Sequence, residues 1–115
     1  MGSNIEPQKN IEKAIEILKS EMHIESISDF ITTKPIGIKN QSDFLNGAIR
    51  LNTEMNKTQL TKYLKNIEDR LKRDRNQHKF GPRTIDLDII AWNGTIVDVD
   101  YYTRDFVKYT VDELL

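Results

Sequence analysis

Apolar residues fall at helical spacing between residues 9 and 21. Ile11, Ala14, Ile15 and Leu18 recur three and four positions apart, with Glu and Lys on the other face, which predicts an amphipathic helix. Residues 24–32 are apolar and β-branched, a strand pattern. Lys34, Pro35, Ile36 and Gly37 then break it into a loop running to about Ser42. Strand character returns from Phe44 to Thr53. Asn56, with Gln59 three positions on, matches a capping box, and behind it Leu60, Leu64, Ile67 and Leu71 mark the buried stripe of a second helix. Residues 72–82 read as a polar, basic loop closed by Gly81 and Pro82. Thr84 to Trp92 is the strongest strand pattern in the chain. Asn93-Gly94 favours a type I′ hairpin turn, with Thr95 to Val99 as the returning strand. Thr110 with Glu113 predicts the cap of a last short helix. The order α-β-β-α-β-β plus a tail helix predicts an α+β sandwich with helices on one face of a sheet.

A length of 115 residues implies one domain, residues 1–115, around a single core. Charged residues make up 30 % and mean hydropathy is -0.58, which predicts a soluble chain. No apolar run is long enough to span a bilayer, and no secretory signal opens the sequence. The lack of cysteine excludes disulfides and thiolate metal sites, and fits a reducing cytoplasm. Net charge is -1, so no global field draws in nucleic acid. Locally the picture differs. Between Arg70 and Arg83 stand six cations, Arg70, Lys72, Arg73, Arg75, Lys79 and Arg83, with Asp74 the one acid inside the window. Taken alone, that stretch is a solvated basic turn. His23 and His78 have no metal partner at useful spacing and read as surface residues.

The stretch "GPRTIDLDII", residues 81–90, changes that reading. Side chains on a strand alternate faces, so Ile85, Leu87, Ile89 and Ala91 face the helices while Asp86 and Asp88 share the other side, their Cα atoms ~6.6 Å apart. As a bare D-x-D this is the polar face of a half-exposed sheet. Its context points further. Like charges so close repel unless neutralised, and Arg83, Arg73 and Arg75 lie just upstream. Arginine suits bidentate contact with phosphate oxygens, and Mg²⁺ is bound through one or two carboxylates plus substrate phosphates. Paired carboxylates beside arginines are a recipe for phosphoryl transfer. No Walker-type loop is present, so a P-loop enzyme is excluded. Phe44 and Asn46, two apart on one strand, offer an aromatic face and an amide to a flat polar heterocycle; Phe80 adjoins the arginine loop.

These residues resemble the 6-hydroxymethyl-7,8-dihydropterin pyrophosphokinase family. The blocks that carry the resemblance are "GSN" at 2–4, "TKPIG" with "QSDFLN" at 33–46, "IEDRLKRDR" at 67–75 and "FGPRTIDLDII" at 80–90, which together cover most of residues 2–94. The resemblance implies a ferredoxin-like α+β sandwich with a mostly antiparallel sheet. It implies transfer of the β,γ-pyrophosphoryl group of ATP to the pterin hydroxymethyl, releasing AMP, in folate biosynthesis. Asp86 and Asp88 would ligate two Mg²⁺ ions, and Arg73 and Arg83 would act in catalysis by neutralising the phosphates. Glu68, Arg75 and Arg104 would lie on the nucleotide side. Gly2, Thr33, Ile36, Phe44, Asn46, Phe80 and Phe106 would frame the pterin, with Phe80 where the family usually has tryptophan. The partners implied are these small molecules, with no nucleic acid and no membrane, and a monomer in the cytoplasm is expected.

The chain departs from the family pattern in two places. The family has a strand ahead of its GSN block, where only Met1 stands here. The expectation is therefore that an upstream apolar segment, or a strand given by a neighbouring chain, fills the middle of the sheet, and that an upstream extension raises the melting temperature. After the hairpin, "VDVDYYTRDF" at 97–106 replaces a longer R-x-T-x-P-H-Y-type segment. A paralogue that binds a pterin or nucleotide without turnover is the alternative. An RNA-binding sheet is disfavoured, because the best strand presents aspartates to the phosphates.

Overall fold

Both amphipathic patterns fold as helices. In the computed structural model, which describes residues 1–37, 40–73 and 82–115, the elements run β1 (Gly2–Ser3), α1 (Pro7–Glu21), β2 (His23–Ile27), β3 (Ile31–Thr33), β4 (Phe44–Asn46), β5 (Ile49–Asn52), α2 (Lys57–Arg70), β6 (Ala91–Trp92), β7 (Thr95–Ile96), α3 (Asp100–Thr103) and α4 (Asp105–Asp112). Pro7 opens α1, where its missing N–H costs nothing. The capping box opens α2: the Gln59 N–H donates to Asn56 Oδ1 at 2.8 Å and the Asn56 N–H to Gln59 Oε1 at 2.9 Å. Ile11, Ala14 and Leu18 of α1, Leu60, Leu64 and Ile67 of α2, and Ile85 and Leu87 form one buried cluster, on which Ile24, Leu45, Ile49 and Leu51 pack from the strands. The architecture is α+β, and the strand pairings among the described residues are antiparallel.

The two long strands expected over 24–32 and 44–53 are each split in two. β2 pairs with β5, and β3 with β4, as one antiparallel hairpin interrupted at residues 28–30 and 47–48. The interruption has a local cause. Ser28 Oγ accepts the Ala48 N–H at 2.8 Å in place of a backbone carbonyl. The Phe30 ring lies against Gly47 so closely that a Cβ there would stand 2.5 Å from the ring.

Three further expectations are corrected. Thr84 to Trp92 is not one paired strand. Among the described residues its strand pairing is an isolated bridge from Asp86 to Gly2 and the short pairing of β6 with β7. Alternation alone does not make a ladder, and the segment of β1 beside it offers only Gly2 and Ser3. The return after the turn is Thr95–Ile96 and does not reach Val99. Thr110 does not begin a helix but lies inside α4, its hydroxyl donating back to the Phe106 carbonyl at 2.9 Å. The turn itself is as expected, with Asn93 at φ 50° and Gly94 at φ 78°.

Candidate active site

The alternation in "TIDLDII" survives without a ladder. Ile85 and Leu87 point into the core, while Asp86 and Asp88 line the opposite side. What pins this extended segment is backbone and side-chain bonding at each step. Gly2 and Asp86 exchange two bonds, Gly2 N–H to the Asp86 carbonyl at 3.0 Å and the reverse at 2.8 Å. The Leu87 N–H, between the two aspartates, donates to Glu68 Oε2 at 2.8 Å. Gly2 also approaches Asn46 closely: a Cβ there would stand 2.5 Å from Asn46 Oδ1.

Arg73 reaches the aspartates through the end of α2. Lys72 takes φ 64°, its N–H bonds the Asp69 carbonyl, and the Arg73 N–H bonds the Glu68 carbonyl, each at 3.0 Å. That is a Schellman closure, with lysine where glycine is usual. It turns the chain back, so that Arg73 Nη1 lies 2.7 Å from Glu68 Oε2 and 3.1 Å from Asp86 Oδ1. Arg83 Nη1 lies 3.2 Å from Asp86 Oδ2. Glu68 is 2 % exposed. Its carboxylate holds Arg73 and the Leu87 N–H, which makes it a positioning residue within the cluster.

Asp88 carries the clearest electrostatic signature. Loss of surrounding water, and next the Asp86 charge, push its carboxyl up to about 6; Glu68 and Asp98 add to this, and the chain's α-amino group opposes it. Two carboxylates on one side of the segment, Asp86 and Asp88, form an oxygen donor set suited to a hard divalent cation. Among the described residues no three His, Asp or Glu converge on a single metal point. Asp86 and Asp88 would therefore hold such a cation with oxygens supplied by a ligand.

A cavity of about 790 Å³ opens over this cluster. Its lining includes Gly2, Thr33, Ile36, Phe44, Asn46, Arg83, Asp86, Asp88, Arg104 and Phe106 from the set singled out in the sequence. Phe44 and Asn46 come from β4, and Phe106 from α4. Asn46 is held by a bond from its Nδ2 to Thr33 Oγ1 at 2.6 Å. Arg73 and Glu68 line a smaller adjoining cavity of about 280 Å³, which shares Arg83, Asp86 and Asp88 with the larger one. Arg75 and Phe80 lie outside the described residues, as does His78. His23, in β2, is exposed. Arg104 also meets Asp100, Nε to Oδ1, at 3.5 Å. Sequence reasoning missed the bonding roles of Asn4 and Gln41, whose partners are far away in the chain. The "GSN" and "QSDFLN" blocks contained both, without showing that they touch.

An α+β domain whose cavity sets two carboxylates and two guanidiniums beside an aromatic and amide wall is suited to holding a polyphosphate next to a flat polar ring. The chain belongs to the family described as 7,8-dihydro-6-hydroxymethylpterin-pyrophosphokinase (HPPK), which matches residues 1–115. It is 33 % identical over 126 residues to the bifunctional protein FolKE of Lactococcus lactis subsp. cremoris, covering 100 % of this chain and 36 % of that protein. It is 30 % identical over 125 residues to the 2-amino-4-hydroxy-6-hydroxymethyldihydropteridine pyrophosphokinase of Haemophilus influenzae, covering 99 % of this chain and 78 % of the relative. The enzyme of the same name from Aquifex aeolicus is 34 % identical over 123 residues, covering 99 % and 76 %. The chain thus spans little more than a third of the bifunctional relative and about three quarters of the other two. No helix among the described residues is long and apolar enough to cross a membrane.

Proposed function

We propose that the chain transfers the pyrophosphoryl group of ATP to 6-hydroxymethyl-7,8-dihydropterin, releasing AMP, in folate biosynthesis. The observation that carries this reading is the Arg73–Asp86–Arg83 cluster beside the raised carboxyl of Asp88, with both aspartates and Arg83 lining the cavity that Phe44 and Asn46 also line. In this reading the pterin ring lies between Phe44 and Phe106, and the Asn46 amide, oriented by Thr33, donates and accepts along the ring's polar edge. Ile36 and Gly2 close the pocket. Arg104 takes the nucleotide side, and the family resemblance assigns Phe80 to the pterin and Arg75 to the nucleotide.

The hydroxymethyl oxygen attacks the β-phosphorus, the bond between the bridging oxygen and that phosphorus breaks, AMP leaves and the hydroxyl proton passes to water. Such a reaction needs in-line positioning and neutral surroundings more than covalent help from the protein. Arg73 and Arg83 neutralise Asp86 in the free protein, and phosphate oxygens replace that carboxylate as their partner when ATP binds. Glu68 keeps Arg73 aimed at the site throughout. Asp86 and Asp88 would hold two Mg²⁺ ions, which when bound supply charge neutralisation across the phosphates. A ferredoxin-like arrangement is the finer fold we assign, supported by the shared core of α1, α2 and the strands. We read the protein as a cytoplasmic monomer.

Thermal melting with the α,β-methylene analogue of ATP tests the binding half of the proposal. The analogue is expected to raise the melting temperature only when Mg²⁺ is present, and the pterin to raise it further. Equal protection with and without Mg²⁺ contradicts the assigned role of the aspartates.

A further inference from the structure

Asn4 has no role in the chemistry above, yet its side chain joins the segment leading to Phe44 and the segment leading to Asp86. It follows β1 and is 5 % exposed. On one side it meets Arg83 twice. Its Oδ1 accepts the Arg83 N–H at 2.7 Å, and its own N–H donates to the Arg83 carbonyl at 3.1 Å. On the other side its Nδ2 donates to Gln41 Oε1 at 2.7 Å and to the Ser42 carbonyl at 3.0 Å. Ser42 stands two residues before Phe44, and Arg83 three before Asp86.

We propose that Asn4 is a positioning residue that sets the pterin-side segment 41–44 and the phosphate-side segment 83–86 relative to each other through one planar amide. This rests on the function proposed above. The chemistry is demanding. One buried side chain must accept from a backbone N–H and donate twice in another direction, which an amide of this length does and a carboxylate or hydroxyl does not. A shift of a few tenths of an ångström between the two substrates is what such a link prevents, and in-line transfer is sensitive to it.

Two variants separate its two sides. Asn4→Asp keeps the acceptor for Arg83 and loses both donors. It is expected to raise KM for the pterin about tenfold and to lower kcat about tenfold, while KM for ATP stays within about threefold. Gln41→Ala, which leaves Asn4 intact, is expected to raise the pterin KM about threefold, and the double variant to be no worse than Asn4→Asp alone. Equal changes in both KM values, or effects that multiply in the double variant, overturn the proposal. If the unsubstituted protein releases no AMP, the functional reading has failed. Amide hydrogen exchange in the ligand-free protein then decides the link itself. Exchange faster over 41–44 but unchanged over 83–86 in Asn4→Asp supports it, and unchanged exchange over 41–44 overturns it.

Discussion

The molecule has two clusters of charged side chains, and they are built on opposite plans. At the end of α1, Glu21 receives both arms of Arg70, at 2.9 and 2.7 Å, and the Tyr63 hydroxyl at 2.8 Å. That set closes on itself: one carboxylate, one guanidinium and one hydroxyl, tying α1 to α2. The Arg70 bond, and next the Tyr63 bond, draw the Glu21 carboxyl down to about 2. Burial, with the Glu21 bond next, pushes the Tyr63 hydroxyl up to about 12. At the cavity, Arg73 and Arg83, with the chain's α-amino group nearby, face three carboxylates, Glu68, Asp86 and Asp88. There the outermost carboxyl moves the other way, up to about 6. A cluster that holds helices together balances its own charge. At the cavity, loss of water and then the Asp86 charge resist the charge on Asp88, a setting in which a cation brought by a ligand would be favoured.

Substitutions should reproduce that contrast. The largest effect is expected at Asp88. Asp88→Ala should cut AMP release by about 10³-fold or more, yet leave the melting temperature at pH 7 unchanged or higher, because it removes a carboxylate the fold disfavours in charged form. A fall in melting temperature would make Asp88 structural. Next, Arg83→Ala should lower kcat about 10²-fold with the pterin KM little changed, measured by steady-state kinetics. Glu68→Gln keeps an acceptor for the Leu87 N–H but removes the charge that holds Arg73. It should lower kcat about tenfold and cost about 1–3 kcal/mol in urea unfolding.

The smallest effect belongs to the closed cluster. Glu21→Gln should leave kcat unchanged and lower the melting temperature slightly at neutral pH. Because the folded carboxyl sits below its unfolded value, the contribution is present above about 4.5 and lost as pH falls toward about 2. The melting difference should vanish over that range. The surface position keeps it small throughout.

What could be seen in the sequence was what depends on neighbours along the chain. The apolar stripes of α1 and α2, the Asn56–Gln59 capping box and the Asn93–Gly94 turn are local, and each formed as its spacing requires. The alternation of Ile85, Asp86, Leu87 and Asp88 was also legible, because one face had to be apolar. Pairing was not. Whether Thr84 to Trp92 joins a ladder depends on what lies beside it, and that segment held its shape through Gly2 and Glu68 instead. The break in the long hairpin depended on a serine hydroxyl and on a phenylalanine against Gly47, neither of which alters the apolar pattern. The family resemblance assigned Glu68 to the nucleotide side, but its hold on Arg73 had no signal in the sequence, because only the turn at Lys72 brings Arg73 back onto it. Asn4 bonds residues 37 and 79 positions away, a distance over which residue spacing carries no signal.

Whether the cavity cluster transfers two phosphates at once is tested most directly by the nucleotide product. ATP, Mg²⁺ and 6-hydroxymethyl-7,8-dihydropterin incubated with the protein should yield AMP in equal amount to the pyrophosphorylated pterin, and none when the pterin is left out. Release of ADP, or a folded protein that forms no AMP with all three present, would contradict the account.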